Sequence, residues 1–311
     1  MEVSLFTSYR ERIVENCRKV ILGKDDCIEK VLVCFLCSGH ILLEDVPGTG
    51  KTMLLRAFAR SVGGDFRRIQ FTPDILPSDL TGINFYNTKT GEFEFRPGPV
   101  FSQIILADEI NRATPRTQSS LLEAMEERQV TVDGATYPMA EPFMVMATQN
   151  PLESYGTFPL PEAQIDRFFM RLSLGYMSRD DELAVIARRP AAAIVSELAC
   201  VVTPEETARL KAERWSVTVS PDVADYIMDI LTATRKRAEP GVSTRGGIAL
   251  YQAAQTMAAL HGRDYVIPED VRDLAVPILA HRSLSASVAK AESDQLISRL
   301  LQEIPVPLEA L

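Results

Sequence analysis

Short apolar runs alternate with amphipathic stretches along the first 174 residues. Leu5, Tyr9, Ile13 and Val14 recur at helical spacing and predict a helix over 3–19. Val20–Gly23 is a short apolar piece, and Asp25 and Asp26 suit the start of a helix running through Ser38. Ile41–Glu44 reads as a strand, Lys51–Arg60 as a helix closed by Gly63-Gly64, and Phe66–Phe71 as a second strand. Residues 83–100 predict a hairpin around Thr88-Lys89-Thr90-Gly91, and 129–139 a second one around Asp133-Gly134. Apolar strands follow at 101–109, 142–148 and 168–174, with helices at 115–128 and 160–167. This alternation predicts an α/β unit with parallel strands covered by helices on both faces. Beyond Gly175 the pattern turns helical, over 179–189, 203–214, 221–236, 244–261 and 268–281. A boundary near Gly175 is expected, giving domains 1–175 and 176–311; the stretch after Ser283 reads as a further helix and a Pro-containing end.

A chain of 311 residues with 46% hydrophobic residues can bury a large core. The net charge of -9 argues against a broad nucleic-acid footprint. Val31–Leu43 is too short and too interrupted for a membrane span, and Met1–Arg18 is charged throughout, unlike a signal peptide. Cys34 and Cys37 form a C-x-x-C inside an apolar run and have no second ligand pair, so they read as buried thiols in a reducing compartment.

The candidate chemistry begins between Ile41 and Thr52. A strand, a turn carrying Gly48 and Gly50, and a helix opening at Lys51 form the layout of a phosphate-binding loop. The free N–H groups at a helix start receive phosphate oxygens, Lys51 supplies an ammonium, and the Thr52 hydroxyl can ligate magnesium. The general G-x-x-x-x-G-K-[ST] pattern asks for Gly where Asp45 stands. Asp tolerates positive φ, and its carboxylate is expected to point away from the phosphates. The strand ending at Asp108-Glu109 adds a metal-holding carboxylate and a base that can polarise water. Asn150 ends the next apolar strand and is placed to orient that water. Arg245 stands at a helix start, where a cation opposes the helix dipole, so an anionic partner is expected there.

These residues resemble the MoxR group of AAA+ ATPases. The resemblance runs from about Val3 to His281, most tellingly at Leu43–Thr52, Asp108–Ala113, 118–127, Ala147–Pro151, Leu160–Phe168 and 262–271. It makes Asp45 a trait of the group. It implies a P-loop NTPase fold, a three-layer αβα domain with a parallel five-stranded sheet, followed by an all-helical lid. ATP is implied between them, at the subunit boundary of a homo-oligomeric, typically hexameric ring. Pro47, Gly48, Thr49, Gly50, Lys51 and Thr52 match the Walker A loop, and Asp108 and Glu109 the Walker B metal residue and catalytic base. Thr52 and Asp108 would hold Mg2+. Asn150 matches sensor 1, Arg167 the arginine finger with Arg112 and Arg116 as rivals, and Arg245 the sensor-2 arginine that touches nucleotide. Ile21, Leu22 and Gly23 match the segment that meets adenine, and the two hairpins match insertions facing the ring's centre. The group implies a cytoplasmic, chaperone-like factor that remodels a protein client in metal-centre insertion or complex maturation. Such factors often work with a von Willebrand factor A domain partner. A nucleic-acid-dependent motor and a nucleotide-gated binding module are the alternatives.

Overall fold

A computed structural model describes residues 2–45, 48–149, 156–283 and 290–307. The chain opens with α1 (Val3–Arg18) and α2 (Asp25–Leu36), then β1 (Ile41–Glu44), α3 (Lys51–Val62), β2 (Phe66–Gln70) and α4 (Pro77–Thr81). The hairpin β3 (Gly82–Asn87) and β4 (Glu92–Pro97) leads to β5 (Ile104–Asp108) and α5 (Pro115–Glu127). The second hairpin is β6 (Gln129–Val132) and β7 (Ala135–Pro138), followed by β8 (Met144–Gln149), α6 (Glu162–Ile165) and β9 (Met170–Leu172). Helices follow: α7 (Arg179–Ala187), α8 (Ala191–Glu197), α9 (Pro204–Glu213), α10 (Pro221–Arg237), α11 (Thr244–Leu260), α12 (Pro268–Leu279) and α13 (Lys290–Glu303).

The main sheet has five strands in the order β2-β5-β8-β1-β9, and every pairing in it is parallel. Its inner strands β5, β8 and β1 are apolar on both sides because both sides are covered. Ile41, Leu43, Ile104, Leu106, Met144 and Met146 join the core under α1–α3, which runs on into α10–α12. Leu42, Ile105, Ala107, Val145 and Ala147 face the other way, into a core with Leu121, Leu122 and Met125 of α5. Parallel strands all end on one edge, so the segments after β1, β5 and β8 converge there. The elements differ from the expected ones in several places. The strand expected from Phe101 begins at Ile104, because Pro99–Phe101 forms a 3-10 turn. Helix α8 was not expected: Ala191–Glu197 has Ala at its first three positions and no apolar stripe to announce it.

The acidic start of α2 and the Ser and Thr caps of later helices behave as the residue types dictate. Ser178 accepts from the Asp181 N–H, Thr203 closes a capping box with Glu206, and Ser220 accepts from the Val223 N–H. Cys34 and Cys37 lie in and just after α2 and are buried, and burial pushes both thiols up. No described helix is long and apolar enough to cross a membrane.

Candidate nucleotide site

The carboxyl edge of the sheet carries a cavity of about 400 Å3 lined by Gly48–Met53, Arg68, Gln70, Asp108, Glu109, Thr148 and Gln149, with Asp45 at its side. Gly50, the residue before α3, has φ 90, and Gly48 has φ 88; a side chain at either would strain the loop. Gly48 lines the cavity, and a Cβ on it would meet no atom within 4 Å. Thr52 lies in the first turn of α3, whose free N–H groups carry the positive end of the helix dipole. Pro47 and Asn150 lie outside the described residues.

Asp45 corrects one expectation. Positive φ among the described non-glycine residues falls at Ser38, Glu109, Arg128 and Asp133, not at Asp45. The Asp45 carboxylate does turn from the phosphate side: it accepts from Ser173 Oγ at 3.0 Å and from the Leu174 and Gly175 N–H groups. Its carbonyl accepts from Lys51 Nζ at 3.3 Å. Asp45 thus ties the loop's first residue to the chain leaving β9.

The two carboxylates after β5 sit in a closed circuit of hydrogen bonds. Thr148 Oγ1 donates to Asp108 Oδ1 at 2.7 Å and accepts the Glu109 N–H at 2.8 Å. Gln70 Nε2 donates to Glu109 Oε2 at 2.7 Å, and Arg112 Nε stands 3.1 Å from the same oxygen. Arg68 donates to Asp108 Oδ2 through Nε at 3.0 Å and Nη2 at 2.6 Å. Glu109 is left-handed, φ 58, a conformation costing on the order of 1 kcal/mol or more that the Thr148 bond helps hold. The sequence did not announce Arg68, Gln70 or Thr148. Arg68 and Gln70 alternate along β2, so they share a face, yet only the strand order shows that β2 lies beside β5.

Ile21 is buried, and its Cδ1 is 3.7 Å from where a Cβ on Gly50 would stand. Gly23 abuts Asp181, and Lys24 Nζ donates to the Tyr176 carbonyl at 2.7 Å. Arg188 donates to the Lys19 carbonyl at 3.1 Å and to that of Val20. The Val20–Gly23 segment, with half-buried Leu22, therefore flanks the loop and is clamped by the start of the helical part.

Arg167 and Arg245 are not brought to this cavity. Both pair with Glu126: Arg167 Nε at 2.9 Å and Arg245 Nη2 at 2.8 Å. Arg245 also stands 3.4 Å from Asp166, which Arg282, only 2% exposed, approaches at 3.2 Å. Arg167 precedes β9, where the Phe169 N–H meets the His40 carbonyl just before β1, so the cluster belongs to the amino edge of the sheet. That edge is a strand's length from the cavity, on the order of 15 Å. The anionic partner expected for Arg245 is supplied here by Glu126 and Asp166, residues far away in sequence. Arg112 lies by Glu109, and Arg116 is exposed at the start of α5.

The donors fit a magnesium nucleotide. Lys51, the start of α3 and a buried Gln149 Nε2 without a partner among the described residues suit phosphate oxygens; Thr52 and Asp108 supply hard oxygens for the ion.

Residues 40–170 match the ATPase family associated with various cellular activities (AAA), and residues 230–304 match the AAA lid domain. An uncharacterized protein of Bacillus subtilis, YeaC, is 49% identical over 96% of this chain and 95% of its own. Chaperone MoxR1 of Mycobacterium tuberculosis is 40% identical over 96% of this chain and 82% of its own, and protein MoxR of Paracoccus denitrificans 33% over 93% of each. A crystal structure of a candidate ATPase from Cytophaga hutchinsonii superposes with a TM-score of 0.86 at 39% identity, covering 98% of both chains.

Proposed function

The chain belongs to the MoxR group of AAA+ ATPases, and from that premise we propose that it hydrolyses ATP at the cavity beyond β1, β5 and β8 and uses the cycle to remodel a protein client. The observation that carries this reading is the convergence of Lys51 and Thr52 with Asp108 and Glu109 around one cavity. Lys51 and the N–H groups opening α3 bind and orient the phosphates. Bound magnesium, held by Thr52 and Asp108, would neutralise phosphate charge. Glu109 takes the proton of the attacking water, and Asn150 is assigned to orienting that water. Ile21, Leu22 and Gly23 take the adenine side.

Arg167 and Arg245 lie too far from their own chain's loop to touch its nucleotide. We assign both to the nucleotide of a neighbouring copy, which makes a ring the working form. For a polypeptide client, the exposed aromatics of the first hairpin are the supporting feature: Phe85, Tyr86 and Phe93 are 39%, 55% and 74% exposed. The two hairpins are joined: Phe95 stacks on Tyr137 at 4.0 Å and Asn84 donates to Asp133 at 2.8 Å.

The test is phosphate release with magnesium and ATP. Wild-type protein should turn over; Glu109→Gln should keep ATP binding and lose turnover by on the order of 10²–10⁴-fold. Equal turnover in that variant would remove Glu109 from the reaction.

A further inference from the structure

One cation in the cavity has no task in the hydrolysis just described. Arg68 stands on β2, at the sheet's edge, and its guanidinium closes on Asp108 Oδ2 with Nε at 3.0 Å and Nη2 at 2.6 Å. The other oxygen, Oδ1, is taken by the Thr148 hydroxyl at 2.7 Å. Both oxygens of Asp108 are therefore engaged, and Oδ2 faces a positive charge. A divalent ion that takes Oδ2, at about 2.1 Å or through one water, would meet the guanidinium in the same space. Like charges so close in a half-buried site repel strongly.

The ion pair is also built to open. The Arg68 side chain is 45% exposed whereas that of Asp108 is 15% exposed, so the cation can move into solvent and the carboxylate cannot. The second bond of Arg68, Nη2 to Gln70 Oε1 at 2.6 Å, is to an uncharged group on its own strand. Neighbouring Asp108 and Glu109 each keep an arginine, Arg68 and Arg112, which balances the pair when no metal does.

We propose that Arg68 is the counter-ion of Asp108 in the metal-free protein, and that metal uptake exchanges one cation for the other, Arg68 leaving Asp108 Oδ2 as the ion arrives. This rests on the nucleotide reading of the cavity. Arg68 is then a positioning residue that acts through Asp108 and sets how tightly the site takes its metal.

The experiment titrates Mn2+ into protein with ADP bound and follows free Mn2+ by electron paramagnetic resonance. Arg68→Gln should bind Mn2+ about tenfold more tightly than wild type. Arg68→Lys, which restores a cation, should fall back toward wild type, and Asp108→Asn should lose the site. Melting of each variant checks that β2 stays paired. Unchanged or weaker Mn2+ binding in Arg68→Gln overturns the exchange while leaving the nucleotide reading intact. Wild-type protein that takes up neither ADP nor Mn2+ overturns both.

Discussion

The hydroxyl of Thr148 sets the positions of two neighbouring acidic residues at once. It is 2% exposed, donates to Asp108 and accepts from the backbone of Glu109, whose φ is positive. Thr148→Val keeps the shape and removes the hydroxyl, leaving a carboxylate oxygen and an N–H without their partner. A stability loss of about 1–3 kcal/mol is expected in thermal or denaturant unfolding. Phosphate release should fall by on the order of tenfold or more, since Glu109 is no longer held in place. Thr148→Ser should recover most of both. Unfolding of Thr148→Val at the wild-type midpoint would show that the bonds are not made in solution. At this scale the sequence spoke clearly where chemistry is local. Gly48, Gly50, Lys51 and Thr52 are contiguous, and Asp108-Glu109 follows an apolar strand. It was silent on Thr148, Arg68 and Gln70, whose importance comes only from the neighbouring strand's register.

At the scale of elements, His40 fastens three of them. Its Nδ1 accepts the Val145 N–H at 2.9 Å and its Nε2 donates to the Met125 carbonyl at 3.1 Å, so the ring joins the approach to β1 with β8 and the end of α5. Burial, helped by the charge of Arg128, lowers its pKa from 6.5 to about 3. The folded form therefore refuses a proton that the unfolded chain accepts below about 6.5. Stability should be full above that value and fall as pH drops through the window toward about 3. The slope from His40 is at most about 1.4 kcal/mol per pH unit. His281, also lowered by burial, adds in the same direction. Urea unfolding across this range checks it: His40→Gln should flatten the slope, and an unchanged slope would place the effect elsewhere.

Element pairing also explains what the hydrophobic pattern left hidden. Strand and helix periods predicted the hairpins and nearly every helix, because amphipathicity is written locally. The pairing of α5 with the start of α11 through Glu126 and Arg245 joins residues 119 apart. A local reading saw only a cation at a helix start and looked for a phosphate. Glu126 holds Arg167 and Arg245 side by side across these elements. Glu126→Ala should leave nucleotide affinity within about twofold and lower turnover by on the order of tenfold, through misplaced arginines rather than an altered cavity. Fluorescent-nucleotide titration beside phosphate release separates these effects. An equal loss of affinity and turnover would contradict it.

For the whole molecule, the decisive feature is that the residues assigned to one site lie at opposite edges of the sheet. The carboxyl edge of the sheet has the phosphate loop and the carboxylates; the amino edge has Arg167 and Arg245. A head-to-tail contact between copies brings unlike edges together, and repeated contacts of that kind close into a ring. The measurement that meets this claim most directly is phosphate release from mixtures of two inactive variants. One is Lys51→Ala, which lacks a working loop but keeps its arginines; the other carries Arg167→Ala and Arg245→Ala and keeps its loop. Each alone should be silent. In mixtures shown by light scattering to co-assemble, activity should return, reaching about a quarter of wild type at equal amounts if copies mix at random around the ring. Silence at every mixing ratio, with co-assembly verified, would contradict a shared site.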